Sequence, residues 1–312
     1  MRFNQWAPVR MCPKFGLMAA IAAVVLPSAA AVGGAAVAQD APRTELGARL
    51  VEHHGDGVFH RLEKVKLRES VAYPDAATVA QLKTPASAYQ AYLSTLAAVE
   101  EKAGVKTLLV NNALGWGSRP DCDWDVTVVK HYPSWRAWEK VEGSALRKAA
   151  YVHREAAVAN EHVVVGVPAR PTAATRQSRP DDPTDTMVYA MNLLEIREKA
   201  KYADGSHPGS TGLEAYARYM GGGELAHLER EIIIADNVPA ALNSADALHP
   251  ETALARLNIV RYPSFHDFSK IARSSDFRDI HKHKAASISR HCGPITVPTL
   301  PESSVGAGSK KP

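Results

Sequence analysis

Cysteine is scarce in this sequence, with 3 residues in 312, and the short motifs of several enzyme classes are missing. There is no Cys-x-x-Cys pair and no His-Glu-x-x-His, so nothing indicates a zinc ribbon or a zincin. Gly-x-Ser-x-Gly is also absent, which argues against a serine hydrolase of that type. The glycine run 221–223 has no Gly-Lys-Ser/Thr after it, and we do not interpret it as a phosphate loop.

The sequence also has little net charge, with a formal value of +4. Three of the basic residues, Arg2, Arg10 and Lys14, precede the first acidic residue, Asp40. We expect these three to be removed with a leader, which lowers the net charge from +4 to +1. A near-neutral protein without a long basic run lacks the electrostatic footprint that nucleic acid requires. We therefore expect no nucleic-acid partner.

The apolar run at residues 17–26 is shorter than the ~20 residues that a membrane-spanning helix needs. It follows Lys14 and precedes small residues that end in Ala36-Val37-Ala38, which is the order of a secretory signal peptide. We expect cleavage after Ala38 and a secreted, periplasmic protein without a membrane anchor. In that compartment Cys122 and Cys292 either form a disulfide or remain two buried thiols.

An internal repeat organises the rest of the chain. Residues 132–168 align with residues 262–298 at a constant offset of 130, and 9 of the 37 positions are identical. We interpret this repeat as a duplication. The shared features include a Tyr-Pro-Ser turn at Tyr132 and Tyr262, a histidine at His153 and His283 and, at an offset of 127, an Ala-Tyr-x-x-Tyr motif containing Tyr89 and Tyr216.

Each copy is predicted to have the element order β-α-β-β-α-β. Short apolar runs predict strands at 105–110 in the first copy and, in the second, at 187–194, 231–235, 257–260 and 295–297. We place the first copy's first strand within 58–67. Capping patterns predict helix starts at Thr84-Pro85, near Leu213, at Ser264 and again at Ser275-Asp276.

This order is that of the ferredoxin-like fold, an antiparallel sheet with its helices on one face. The other face of such a sheet is apolar, and two copies can cover each other. We therefore predict the α+β class, with two tandem ferredoxin-like units forming an intramolecular pseudo-dimeric α+β barrel. The predicted divisions are a signal peptide at 1–38, an N-terminal extension at 39–56, copy one at 57–168, a linker at 169–185, copy two at 186–298 and a disordered tail at 299–312.

Four segments of the chain carry a further signal: VYAMNLLEIREKAKYADGS, GLEAYARYM, RYPSFHDF and DFRDIHKHKAAS. With them the chain resembles the dimeric α+β barrel superfamily, which includes the antibiotic-biosynthesis monooxygenases, and within it an uncharacterised bacterial branch of unknown function. The resemblance covers nearly all of copy two and copy one from residue 84 onward. It implies the barrel fold and a pocket for flat organic ligands between the sheet and the helices.

The repeated histidines His153 and His283 are the first candidates for chemistry. In copy one the residue lies at the edge of the apolar helix face, where an imidazole can act as a general base or orient a substrate oxygen. The alternative is a structural histidine that bonds a backbone carbonyl. Polar groups expected to line the pocket are Asn192, Tyr262, Tyr132, Tyr216 and Tyr89.

A second candidate rests on the resemblance of Phe277-Arg278-x-x-His281-Lys282 to the helix of haem-degrading monooxygenases, whose histidine ligates iron. The family's asparagine and tryptophan positions fall on Asn192 and Tyr262, and tyrosine in place of tryptophan weakens this match. At roughly 100° per residue, His281 and His283 lie on opposite helix faces and cannot line one pocket.

A third group, His53, His54 and His60 with Asp56, is interpreted as a solvated segment rather than a metal site. We predict a protein that binds a small apolar or aromatic molecule without a cofactor, and that acts, if it is an enzyme, as a cofactor-independent oxygenase or isomerase. A non-catalytic binding or assembly module and a haem-binding protein stay open as alternatives, as does association beyond the internal pair.

Overall fold

The structure is a computed structural model that describes residues 51, 55–113, 123–169, 187–221, 231–242, 248–249 and 255–298. The signal peptide, linker and tail predicted from the sequence lie outside the described residues. We call the described residues 55–169 the first half and the described residues 187–298 the second half.

The class is α+β, as predicted, with a large antiparallel sheet and helices. The strands are β1 (Phe59–Leu67), β2 (Lys106–Ala113), β3 (Val126–Tyr132), β4 (Val158–Pro168), β5 (Val188–Ile196), β6 (Glu231–Leu242), β7 (Leu248–His249), β8 (Ala255–Tyr262), β9 (Ile288–Cys292) and β10 (Ile295–Pro298). The helices are α1 (Ala76–Gln81), α2 (Pro85–Lys102), α3 (Trp135–Glu142), α4 (Ala145–Ala157), α5 (Gly212–Gly221), α6 (Phe265–Arg273) and α7 (Ser275–Ser287).

Hydroxyl caps fix where most of these helices begin. The side chain of Thr84 accepts a hydrogen bond from the Ser87 amide, and Pro85 occupies the first helical position of α2. The serine of each Tyr-Pro-Ser turn, Ser134 and Ser264, caps the helix that follows by the same bond. The turn therefore ends a strand and starts a helix in both halves.

All ten strands belong to one antiparallel sheet. The strand order is β4-β1-β3-β2 in the first half and β6-β8-β5 in the second, where β9 and β10 both pair with β5. Two further pairings join the halves, β4 with β6 and β2 with β10. The pairings therefore form a closed cycle of strands, and β7 attaches to β6.

The same register recurs in both halves. The bounds of α4 and α7 differ by 130 residues. The residue numbers of equivalent positions differ by 129 on the first strand of each half and by 130 from the third strand onward. Arg61 pairs with Lys130 and Val165, and in the second half Ala190 pairs with Val260 and Ile295.

Side chains alternate between two faces of the sheet. One face, which we call the inner face, carries an apolar cluster drawn from both halves. The other face packs against the helices, with Tyr132 and Trp138 in one cluster of the first half and Tyr216 and Ile280 in one of the second. The inner-face cluster consists of Leu62, Leu109, Val129, Val164, Tyr189, Met191, Ile234, Val238, Leu257 and Ile259.

Three details differ from the predictions. Helix α1 was not anticipated, although Asp75 caps it by accepting from the Thr78 amide. The cap of α7 is Ser274, one residue before the predicted one, because its hydroxyl accepts from the Phe277 amide. The last strand of the second half is split into β9 and β10 around residues 293–294.

Cys292 is disulfide-bonded, and Cys122 lies outside the described residues. In the part of the chain that the structure describes, we find no helix both long and apolar enough to cross a membrane.

Candidate functional site

The space between the sheet and the helices is built from equivalent positions in the two halves. In each half, the first strand contributes one polar side chain, and the first long helix contributes two tyrosines three residues apart. The last helix contributes a cation, and the last strand contributes a titratable group. Residues three apart on a helix share a face, so both tyrosines point toward the sheet. The first-half site consists of Glu63, Tyr89, Tyr92, Arg154 and Glu161, and the second-half site of Asn192, Tyr216, Tyr219, Lys284 and His291.

Buried ion pairs surround the first-half site. Glu63 is fully buried, and its Oε1 lies 2.7 Å from Nη1 of Arg61. Arg154 on α4 pairs with Glu161 on β4. Its Nη1 also donates a hydrogen bond of 2.8 Å to the hydroxyl of Tyr151. Two further buried pairs are Lys130 with Glu100 and Arg147 with Glu142.

Charge and burial set the protonation states in this site. Burial favours a raised pKa for Glu63, but Arg61 and the other surrounding cations outweigh it and hold the pKa below its ordinary value. Burial raises the pKa of Tyr89 and of Tyr132 well above the ordinary value. The first half therefore combines an ionised carboxylate with phenols that keep their protons at neutral pH.

Tyr92 Oη, Tyr132 Oη and Arg147 Nη2 are among the buried donor atoms that have no hydrogen-bond partner in the described residues. Arg61 and Lys130 interact electrostatically with both phenols. The Arg147 guanidinium carbon lies 5.7 Å from the ring centre of Tyr92. Leaving a buried donor without a partner costs about 1–3 kcal/mol. Oxygen acceptors on a ligand or on water would satisfy all three groups.

Aromatic rings pack against Tyr132, one of these donors. Phe59 and Tyr132 stack with ring centres 4.9 Å apart and an interplanar angle of 3°. The ring centre of Trp135 lies 5.7 Å from that of Phe59 and 3.9 Å from that of Trp138. The hydroxyl of Tyr132 thus belongs to a ring that is packed among aromatic side chains.

The second-half site is less charged. Oδ1 of Asn192 accepts hydrogen bonds from Lys284 Nζ at 2.9 Å and from His291 Nε2 at 3.1 Å. The ammonium of Lys284 lies 5.7 Å from the ring centre of Tyr219. Tyr216 accepts a hydrogen bond from the side-chain amide of Asn258. Ala190, Val260 and Phe277 occupy the positions of Arg61, Lys130 and Arg147.

The repeated histidines form equivalent hydrogen bonds. His153 Nδ1 lies 2.7 Å from the hydroxyl of Tyr73, and His283 Nδ1 lies 2.8 Å from that of Tyr202. The two rings of each pair meet edge to face at 78°. Burial lowers the pKa of both histidines. Each pair ties the last helix of its half to the chain that follows the first strand.

The candidate haem residues do not come together around one pocket in the part of the chain that the structure describes. His281 is exposed on α7, with its ring 5.3 Å from that of Phe277, whereas Ile280 and Lys284 are buried on the same helix. Tyr262 is buried against Phe268 at 5.1 Å. This arrangement does not fit a haem held by His281 between α7 and the sheet. No group of three or more His, Cys, Asp or Glu side chains in the described ranges could hold a metal ion.

The structure thus separates the predicted site residues. Tyr89 lies in the first-half site, and Tyr132 interacts with buried cations of the same half. Asn192 and Tyr216 lie in the second-half site, and the two histidines bind tyrosines elsewhere. The interpretation of His60 as part of a solvated segment was wrong, because its residue is 7% exposed on β1. Sequence reasoning missed Glu63, Arg154 and Lys284. The charged residue that follows each repeated histidine was the signal for the last two.

No protein-family model and no curated protein matches the chain. Among solved structures, the RPA0582 protein of unknown function from Rhodopseudomonas palustris is 30% identical over 41% of this chain and 94% of its own, with a TM-score of 0.35. Chlorite dismutase from Candidatus Nitrospira defluvii is 11% identical over 83% of this chain and 97% of its own, with a TM-score of 0.44. An anthrone oxidase-like protein is 8% identical over 79% of this chain and 93% of its own, with a TM-score of 0.41.

Proposed function

We propose that this chain, which is 30% identical to the RPA0582 protein over 41% of its length, is a member of the dimeric α+β barrel superfamily and binds a small aromatic molecule that carries acceptor oxygens. The binding site lies between the sheet and the helices of the first half. The observation that carries the proposal is the set of buried, unpartnered donors at Tyr92, Tyr132 and Arg147.

The chemistry of these donors defines the ligand class. Phenol hydroxyls and a guanidinium all donate hydrogen bonds, so the ligand must supply acceptors such as carboxylate, phenolate or ketone oxygens. The rings of Phe59 and Trp135 beside Tyr132 favour an aromatic body, because aromatic pairs gain energy beyond the area they bury. A purely aliphatic ligand would leave the donors unsatisfied.

The second half supports this assignment by contrast. At positions equivalent to Arg61 and Lys130 it has Ala190 and Val260, so the same fold is built there without these charges. Buried charges carry a desolvation cost, and apolar replacements of similar volume are often neutral or stabilising. The charges of the first half are therefore better explained by a ligand than by stability.

Thermal-shift titration with 2-naphthoate tests the proposal. A molecule that binds only the folded chain raises the melting temperature in a concentration-dependent way. Tyr132→Phe removes one donor and should weaken 2-naphthoate binding about tenfold, which corresponds to a loss of ~1.4 kcal/mol. The same variant without ligand should be as stable as the wild type, because it also removes an unsatisfied buried hydroxyl.

The matched control is Tyr262→Phe, which removes the hydroxyl at the equivalent position of the second half and should leave binding unchanged. The proposal fails if neither 2-naphthoate nor 2-naphthol stabilises the wild type, or if both variants weaken binding equally. A non-catalytic assembly module would give the first of these results. Oxygen consumption with bound 2-naphthol distinguishes a cofactor-free oxygenase from a binding protein.

We further propose that the two halves arose by duplication and that the closed cycle of strands is the intramolecular counterpart of a dimeric barrel. The equivalent registers of β1 and β5 support this origin. Light scattering of the purified chain should then give a single-chain mass. Secretion through the leader at 1–38 is part of the same proposal and is tested by the N-terminal sequence of the periplasmic fraction.

A further inference from the structure

The two halves meet at two junctions, and each junction has one polar side chain that reaches across. Asn111 on β2 pairs in register with Pro298, and Asp236 on β6 pairs with Pro168. The two prolines are equivalent at an offset of 130, so Asn111 and Asp236 occupy the same place at the two junctions. Both side chains are almost fully buried.

The first junction is neutral. Nδ2 of Asn111 donates a hydrogen bond of 2.8 Å to the hydroxyl of Thr296. That hydroxyl lies 3.4 Å from the backbone carbonyl oxygen of Tyr189. Amide, hydroxyl and carbonyl groups are therefore sufficient to close a junction at this position.

The second junction is ionisable. Oδ2 of Asp236 lies 2.8 Å from Nδ1 of His60, and Nε2 of His60 lies 3.4 Å from Nδ1 of His131. Asp236 is 1% exposed and His60 7%, whereas His131 is half-buried. The three groups thus form a chain that runs from a buried carboxylate in the second half to a half-buried imidazole in the first.

Gly166 makes room for this chain. A Cβ atom at this position would lie 2.4 Å from Oδ2 of Asp236, so any other residue would displace the carboxylate. The equivalent position at the neutral junction is Thr296, whose side chain takes part in the hydrogen bonds there. The two junctions therefore differ together at three equivalent positions. The ionisable junction has Asp236, Gly166 and His60, and the neutral junction has Asn111, Thr296 and Tyr189 at the same places.

We propose that His131, His60 and Asp236 form a proton-transfer site in which His131 is a general base for a hydroxyl group or a water molecule. A structural junction needs no titratable group, as the neutral one demonstrates, and burying a carboxylate beside imidazoles adds a desolvation cost. An Asp-His-His chain stabilises the positive charge that an imidazole acquires when it takes a proton. This site is independent of the one proposed for the aromatic ligand.

The tautomers follow from the acceptor at the buried end. The carboxylate of Asp236 accepts the Nδ1 proton of His60, so Nε2 of His60 accepts the Nδ1 proton of His131. The lone pair of His131 is then on Nε2. When Nε2 takes a proton from a hydroxyl, the hydroxyl oxygen keeps the electron pair, the imidazolium can pass its Nδ1 proton to His60, and the carboxylate balances the charge.

Burial, together with nearby groups, lowers the pKa of His131 and so favours its neutral imidazole at neutral pH. Burial is the largest cause of its lowered pKa, and His60 and Lys106 lower it further, while Asp236 opposes them. Because an imidazole must be neutral to accept a proton, this shift widens the pH range in which His131 is active.

Carbethoxylation with diethyl pyrocarbonate tests the proposal, because the reagent reacts with the lone pair of a neutral imidazole. Mass spectrometry of the peptides that contain His131 and His162 gives the carbethoxylation rate of each histidine in one sample. His162, on β4, serves as the internal reference. Asp236→Asn should lower the His131 rate about fivefold relative to His162. It should also move the pH midpoint of the His131 reaction downward, because the carboxylate that opposes the pKa shift is lost.

The matched control is Asn111→Ala at the neutral junction, which should change neither the rate ratio nor the midpoint. If Asp236→Asn does not fold, His60→Gln interrupts the same chain and should give the same loss. An unreactive His131, or a ratio and midpoint that Asp236→Asn leaves unchanged, would overturn the proposal.

Discussion

The first half buries charge beneath its helices at positions where the second half buries hydrocarbon. Arg61 and Lys130 lie on neighbouring strands of the first half, and the equivalent pair in the second half is Ala190 and Val260. Both pairs of positions are buried, and the registers around them are the same. Identical backbone surroundings therefore tolerate either chemistry, and the charges are not a requirement of the fold.

The contrast also separates two uses of polarity in one chain. The Tyr–His pairs and the neutral Asn111–Thr296 junction satisfy each group locally, as structural hydrogen bonds do. In the first half, by contrast, the buried hydroxyls of Tyr92 and Tyr132 have no partner among the described residues. The second kind of arrangement is costly in an isolated chain and is therefore where a ligand is expected.

The largest expected effect comes from breaking a buried ion pair in the first half. Arg154→Met leaves the carboxylate of Glu161 buried without its partner and should lower the free energy of unfolding by about 3–5 kcal/mol. Lys284→Met, at the equivalent position, removes a hydrogen bond to the uncharged Asn192 and should cost about 1 kcal/mol. Urea denaturation of both variants measures the difference.

The double variant Arg154→Met with Glu161→Met is the control for this prediction. Replacing both partners by apolar groups removes the uncompensated charge, so most of the lost stability should return. Equal losses for Arg154→Met and Lys284→Met would contradict the distinction between a charged half and a largely neutral one.

A smaller effect is expected where the two last strands differ. β4 runs without interruption through Val163, whereas the second half has Gly293 at the equivalent position and splits into β9 and β10. A Cβ atom on Gly293 would lie 2.2 Å from the carbonyl oxygen of Met191, which is backbone and cannot rotate away. Gly293→Ala should therefore cost about 1–3 kcal/mol of unfolding free energy in urea.

Gly221→Ala serves as the comparison in the same half. No described atom lies within 4 Å of a Cβ at Gly221, which ends α5. This variant should be neutral or slightly stabilising, because alanine has the higher helix propensity. If Gly293→Ala is equally harmless, the split between β9 and β10 does not depend on close backbone contact.

Much of this architecture could be predicted from local signals. The Tyr-Pro-Ser turns, the Thr84-Pro85 cap and the short apolar runs gave the order of elements, because each depends on a few neighbouring residues. The predicted second strand of copy two ended at residue 235, but β6 continues to Leu242. It extends because β4 of the other half pairs with it, and a pairing so distant in sequence leaves no local pattern.

The candidate sites were less predictable for the same reason. The repeat singled out His153 and His283, but their partners Tyr73 and Tyr202 lie 80 and 81 residues away. Asp236 and His60 are 176 residues apart and meet only when the cycle of strands closes. A repeat identifies which positions are shared, whereas the functional differences lie at positions that the copies do not share.

The smallest expected effect distinguishes the two Tyr–His pairs by their electrostatic surroundings. Both histidines have a lowered pKa, so the unfolded chain takes up protons first as the pH falls below about 6.5. Each pair therefore contributes stability above that pH and loses it on acidification. The causes differ, because burial acts alone on His153, whereas Lys282 and Arg218 add to burial at His283 and Asp204 opposes them.

Salt should separate these causes, because it screens exposed charges over a Debye length of roughly 10 Å at 0.1 M but leaves burial unchanged. NMR titration of the imidazole ring protons at low salt and in 0.5 M NaCl should show the pKa of His283 rising with salt while that of His153 stays constant. Lys282→Gln should raise the His283 pKa at low salt and reduce its salt response. Equal responses of the two histidines would mean that the pairs are electrostatically equivalent, and that the asymmetry between the halves is confined to the charged site of the first half and the ionisable junction.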